Sequence, residues 1–259
     1  MTVLMHEMTW PRFEEIIRAG RPVFLAVGAT EQHGFHLPLG VDYLIAQEIC
    51  LKAAEIVHGA VAPAIQYGFR SQVRTGGGSH RIGTIGISAS CLSNLVAEVI
   101  VELARDGVRR VVIVDGHYEN RFILDDACTR AIDSTTALGL SGLKIVKVVA
   151  GDPISPSVLA QVYANRENLG AELEHAAYLE TSLMLAVRPD LVGDDWAIDE
   201  HRPSMPPFDL FPEDSQFVPA SGCLATPDGS NKEIGQLLFD DTLNLCLRSV
   251  RAAFPDLPQ

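Results

Sequence analysis

The sequence is short of positive charge. Lys and Arg number 20 against 33 Asp and Glu, so the formal net charge is −13. Phosphate binding needs a positive surface, which excludes nucleic acid as an expected partner. An anionic membrane surface is excluded for the same reason. No apolar run reaches the length of a membrane span. The opening residues, MTVLMHEMTW, lack a basic stretch followed by an apolar one, so no secretory signal is expected. Cysteine is sparse and unpaired. Cys50, Cys91, Cys128, Cys223 and Cys246 make an odd number, and none stands in a C-x-x-C. That rules out a disulfide framework and fits a reducing cytoplasm. Cys50, Cys91, Cys128 and Cys246 lie in apolar, helical-looking surroundings and read as small buried hydrophobes. Several signatures are missing as well. There is no Walker A loop, no G-x-G-x-x-G and no H-E-x-x-H. There is no nucleophile elbow, so serine catalysis is not expected from the adjacent Ser79 and His80. No internal repeat or low-complexity linker divides the 259 residues, which fit one domain spanning 1–259.

What is present alternates strand and helix. Apolar runs at 22–27, 60–65, 109–116 and 143–150 read as buried strands. Helical patterns occupy 41–57, 90–107, 119–134, 172–187 and 230–254. Ser90 is the expected N-cap of the second helix, and Ser230 with Glu233 fits a capping box for the last. Residues 188–228 read as a long loop with short strands at most. Continuous apolar strands separated by helices imply a mainly parallel sheet covered on both faces. Ligands bind such sheets outside the carboxyl ends of the strands.

Two acid–histidine clusters fall at such strand ends. One is Glu31-x-His33 with Asp42. The other is His117 and Glu119 in DGHYEN. Each could be a core or capping histidine with a hydrogen-bonded neighbour. Two such motifs at two strand ends of one parallel sheet favour a metal site instead. Carboxylate oxygen with imidazole nitrogen suits Zn²⁺ and, with more oxygen, Mn²⁺. Five ligands exceed what one catalytic zinc takes from protein, and a bridging carboxylate between two metals would use them all. His36 reads as a supporting or structural residue. The segment from Gln66 to Gly86 carries three consecutive glycines and could be a surface turn or a substrate loop. In ELEHAAYLETS, His175 is either an acid or base at a helix N-terminus or a half-buried helical residue.

EQHGFHLPLGVD, QYGFRSQVRTGGGSH, DGHYEN and LEHAAYLETSLMLAVRPDLV together resemble the creatininase (creatinine amidohydrolase) family, over nearly the whole chain. The resemblance implies a three-layer α/β/α sandwich assembled as a homo-oligomer, a hexamer built as a trimer of dimers. It implies two divalent metal ions per chain, zinc and/or manganese. Glu31 and His117 would ligate one, His33 and Glu119 the other, and Asp42 would bridge them. His175 would be the catalytic histidine, with Glu119 helping to relay the proton. Thr75, Tyr118, Glu172 and Gly77 would contact a small-molecule amide substrate, the Gly76–Gly77–Gly78 turn through its backbone N–H groups. The implied activity is hydrolysis of a C–N bond in a cyclic or related amide by metal-activated water. Two pocket tryptophans of the creatininases proper are replaced here by Gly151 and Ala171, and Trp10 and Trp196 lie elsewhere. A larger or wetter pocket is therefore expected, compatible with a cyclic amide, a formamide or a peptide amide. The alternatives are a deformylase or peptidase of the same family, or a non-catalytic metal- or small-molecule-binding member.

Overall fold

A computed structural model describes residues 2–196 and 205–258. Four strands form one sheet: β1 (Val23–Val27), β2 (Ala60–Val61), β3 (Arg110–Asp115) and β4 (Lys144–Val149). Their order is β2-β1-β3-β4 and every pairing is parallel. The helices are α1 (Trp10–Arg18), α2 (Val41–Val57), α3 (Val73–Gly76), α4 (Ala89–Arg105), α5 (Arg121–Ala137), α6 (Pro156–Val162), α7 (Tyr178–Val187) and α8 (Lys232–Ala253).

Side chains alternate across a strand. In β1, Phe24 and Ala26 enter a core shared with α2, α7 and α8. Val23, Leu25 and Val27 enter a second core shared with α1, α4 and α5. β3 divides in the same way, Val112 and Val114 to the first core and Val111 and Ile113 to the second. The fold is thus a three-layer α/β/α sandwich, as the alternating pattern implies. Both strands are buried on both faces, which is why they read as unbroken apolar runs rather than alternating ones.

Several boundaries differ from the sequence expectation. The run 60–65 yields only Ala60–Val61 as a strand, with Ile65 returning as an isolated bridge to Val27. Pro63 lies between them and has no N–H to give a ladder. α4 is capped by Ser88, whose side chain accepts from the Cys91 N–H, not by Ser90. α8 is capped by Asn231, whose side chain accepts from the Ile234 N–H, so Ser230 and Glu233 form no capping box. The stretch expected as one helix from 172 begins as α7 only at Tyr178. α1 and α6 had no counterpart in the sequence expectation. Among the described residues of 188–228 there are two short 3₁₀ turns and no strand; residues 197–204 of that expected loop lie outside the described residues. Cys50, Cys223 and Cys246 are buried and Cys128 is half-buried, but Cys91 is exposed, so the buried reading fails there. Among the described residues no helix is long and apolar enough to cross a membrane.

Candidate metal centre and active site

The parallel pairing of β1 with β3 sets Val27 beside Asp115, so both chains leave the sheet side by side. Four residues beyond β1 comes Glu31, and two beyond β3 comes His117. Asp42 enters from the first turn of α2, where the helix dipole favours an acid. Glycine lets these pieces close up: a Cβ on Gly116 would lie 2.1 Å from Asp42 O. The Gly-rich segment folds over the same spot, since a Cβ on Gly76 would lie 2.4 Å from Ser71 Oγ and 2.9 Å from Glu31 Oε1.

Glu31, His33, Asp42, His117 and His175 converge, and all are buried. His33 Nε2 lies 3.1 Å from Asp42 Oδ1 and 3.7 Å from Glu180 Oε2. His117 Nδ1 lies 3.0 Å from Asp42 Oδ2 and 3.7 Å from Glu31 Oε2. His175 Nδ1 lies 3.2 Å from Glu31 Oε1. Backbone carbonyls orient two of the rings. Glu31 O is 3.2 Å from His33 Nδ1, and Phe69 O is 3.0 Å from His117 Nε2. A carbonyl can only accept, so those nitrogens carry the protons. The free nitrogens, His33 Nε2 and His117 Nδ1, then face the carboxylates, as carbonyl-oriented metal-binding histidines do.

The electrostatics of this cluster are those of a site built for cations. Burial raises the Glu31 carboxyl well above its usual range. Burial alone would lower His33, but Asp42 and Glu180 override it and push the ring up to about 10. His117 is raised well above its usual value, because Glu119 and Glu31 outweigh its burial. Burial would raise Asp42, yet His33 and His117 pull it well below the usual carboxylate range. His175 is driven the other way, well down, by burial and by the His33 charge.

Glu31 Oε2, His33 Nε2 and Asp42 Oδ2 are buried with no hydrogen-bond partner. The nearby imidazoles and carboxylates are close but not aligned for hydrogen bonds. Leaving such atoms unpaired is costly, and divalent cations would satisfy them. Three ligand groups draw together: Glu31 with His33 and His175, Glu31 with Asp42 and His117, and His33 with Asp42 and Glu180. The nitrogen–oxygen donor set fits zinc or manganese.

Other expected residues fall as follows. Glu119 stands at the edge. Its Oε1 accepts from Thr75 Oγ1 and from the Gln72 N–H at 3.0 Å, and its Oε2 lies 3.3 Å from His117 Nε2. It joins none of the three groups, and Glu180 stands beside His33 instead. His175 is not on a helix but on the turn before α7, followed by Ala176 at φ 53°. Its Nε2 has Gln32 O at 2.8 Å and the Gln32 amide nitrogen at 2.9 Å. The Gln32 carbonyl can only accept, and both amide hydrogens of Gln32 go to Gly76 O and Gly222 O, so Nε2 carries a proton and Nδ1 faces Glu31 Oε1.

Thr75 and Tyr118 line a cavity of about 340 Å³ that opens on Glu31, Asp42, His117 and His175. Glu172 is exposed in a short 3₁₀ turn and lines a neighbouring cavity. Two of the three glycine amides are taken up within the loop, Gly76 and Gly78 donating to Gln72 O at 2.8 and 3.1 Å. A Cβ on Gly77 would meet the Gln32 amide at 2.8 Å, so Gly77 is required for that packing. His36 is structural, with Nε2 2.8 Å from Thr181 Oγ1 and its ring against Trp196. Ser79 donates to Ser71 O and makes no catalytic pair with His80.

Four residues were not singled out from the sequence: Gln32, Asp115, Asn120 and Glu180. Gln32 bonds Gly76 O and Gly222 O beside His175. Asp115 is buried, and burial pushes it up to about 7. Asn120 ties Gly28 O, Phe69 N and Asp115 together. All four sit inside the quoted motifs, which was the available signal.

Fold and site together define an α/β/α protein with a buried nitrogen–oxygen cluster suited to divalent metal. The creatininase family model (creatinine amidohydrolase) matches residues 6–250. The chain is 37% identical over 256 residues to creatinine amidohydrolase of Pseudomonas putida, covering 98% of each. It is 28% identical to the mycofactocin precursor peptide peptidase of Mycobacterium tuberculosis, covering 90% of this chain and 86% of that one. Among solved structures, a manganese form of creatininase superposes with a TM-score of 0.94 at 36% identity, covering 98% of this chain and 100% of that one. A zinc–zinc form of a mutant creatininase gives 0.94 at 36% identity, covering 98% and 99%. The chain belongs to the creatininase family and is an amidohydrolase of that family.

Proposed function

We propose that this protein hydrolyses a C–N bond in a small cyclic or related amide, using two divalent ions per chain. Glu31 and His117 would hold one ion, His33 and Glu119 the other, with Asp42 shared between them. The observation that carries this reading is the convergence of the unpartnered Glu31 Oε2, His33 Nε2 and Asp42 Oδ2 on one buried spot. Ions held there would lower the pKa of a water and polarise the amide carbonyl. The chain itself supplies the rest. Phe69 O and Glu31 O fix the tautomers of His117 and His33. Thr75 and the Gln72 amide hold Glu119 in place. His175, held at Nε2 by Gln32, would take a proton from the attacking water and pass it to the leaving nitrogen.

Creatinine is not the favoured substrate. Gly151 lines the cavity, and nothing stands within 4 Å of the position its Cβ would take. Trp10 is on the surface and Trp196 packs against His36, so neither closes the pocket. That room also favours a second reading, a peptide amide, in keeping with the peptidase relative. The hexamer and the cytoplasmic location belong to the same proposal and rest on the family.

The test is turnover of a panel of cyclic ureides, formamides and short peptides by the metal-loaded protein, before and after chelation. Cleavage that disappears on chelation and returns with zinc or manganese supports the reading. Cleavage unaffected by complete metal removal would overturn it.

A further inference from the structure

The catalytic cavity has a neighbour. A second cavity of about 320 Å³ shares Thr75, Tyr118 and Glu119 with the first. It begins one side chain from the centre, because Glu119 Oε2 is 3.3 Å from His117 Nε2. Each cavity alone is at the small end of the range for ligand pockets, roughly 300–1,000 Å³. Together they would take a molecule much larger than a bare five-membered ring.

The walls of the second cavity are apolar and aromatic. Phe122 comes from the start of α5, and Phe208, Phe211 and Phe217 come from the 205–217 segment. Phe122, Phe208 and Phe211 are 78%, 60% and 73% exposed. A single exposed phenylalanine needs no explanation, but several rings on one concave wall mark a binding surface. The rim is acidic, with Glu172, Asp209, Glu213 and Asp214. Among the described lining residues the one cation, Arg74, is already bonded to Asp209 and to the carbonyls of Pro206 and Phe208. The rim therefore repels carboxylates and tolerates neutral or cationic groups, while the rings favour a flat apolar one.

Building on the amidohydrolase reading, we propose that the substrate is an amide bearing an aromatic-sized apolar arm without negative charge. The arm lies in the second cavity while the scissile C–N bond sits at the centre. Thr75 and Tyr118, common to both cavities, mark where the arm joins the amide.

The experiment uses metal-loaded full-length protein and a series of five-membered cyclic ureides substituted with hydrogen, methyl, benzyl or carboxybenzyl. Turnover and calorimetric binding are both measured. The benzyl compound should exceed the unsubstituted one about tenfold in kcat/KM or affinity, and the carboxybenzyl compound should fall back. Phe208→Asp and Phe211→Asp should cut the benzyl-to-hydrogen ratio by a similar factor. A flat series in turnover and binding overturns the proposal and leaves the amidohydrolase reading standing. If no member is cleaved, five-membered ureides are excluded as the scissile group, and the calorimetric preference alone decides the arm site. Variants that change the sedimentation coefficient but not the preference would make this face a contact between copies and overturn the proposal.

Discussion

The two strand ends and the 170–180 turn supply the same cavity by different means. Glu31, His33 and His117 follow directly on β1 and β3, whose pairing fixes their spacing through hydrogen bonds between neighbouring strands. His175 depends on contacts far away in the sequence. Gln32 holds its Nε2 across 143 positions, Leu224 N donates to its carbonyl, and Glu180 accepts from the Ala176 N–H at 2.6 Å. Ala176 is left-handed, which costs a non-glycine residue about 1–2 kcal/mol, so the surrounding bonds must impose it. The candidate ligands are thus tied to the strand ends, whereas His175 is clamped in place from outside.

The strongest way to break that contrast is Asp42→Ala. With the shared carboxylate gone, metal should be lost and turnover should fall on the order of 10³-fold, several kcal/mol of transition-state stabilisation. Elemental analysis beside rate measurement checks both. Retained metal with retained rate would remove Asp42 from the centre.

Next comes His175→Ala. A proton donor is worth roughly 10²–10⁴-fold in kcat, and metal content should not change. If metal disappears with the ring, His175 is a ligand with Glu31 and His33 rather than a proton carrier, and the two regions would share one role.

A finer comparison sets Glu119→Gln against Glu180→Gln. Glu119 is expected to matter as a ligand and Glu180 as a support for the His175 turn. Titration with zinc should show the larger loss for Glu119→Gln, and about 10- to 100-fold at most for Glu180→Gln. The reverse order would make Glu180 the partner of His33, where the distances already put it.

The smallest effect concerns protons. Without metal, His33 is protonated up to about 10, but a ligating ring must be neutral. Metal uptake at pH 7 should therefore release protons, which calorimetry in buffers of different ionisation heat would count. The same ring stabilises the metal-free fold fully below its ordinary value of 6.5, and that contribution is gone above about 10. Thermal stability of the metal-free protein should fall across that window, more than in the loaded protein. No proton release would mean that the rings are already neutral before metal binds.

Much of this was legible in the sequence. Each strand fell within a predicted run, and β1 and β3 did so because strands covered on both faces must be apolar throughout. The chemistry of the strand ends was also legible, because a short motif after a strand stays near it. Helix ends were less so. Ser88 and Asn231 cap where Ser90 and Ser230 were expected, since neighbouring polar residues compete and only backbone geometry decides. The helix expected from residue 172 starts at Tyr178, because bonds from Glu174 and Glu180 hold the preceding turn open.

By itself the sequence determined the layer order and the acid–histidine pairs. Both depend on residue type and short spacing. Only the tertiary structure decided which nitrogen of each histidine faces the centre, that Gln32 and Glu180 serve it, and that an aromatic cavity adjoins it. Those features arise where segments distant along the chain meet, and hydrogen-bond direction and cavity shape are properties of that meeting.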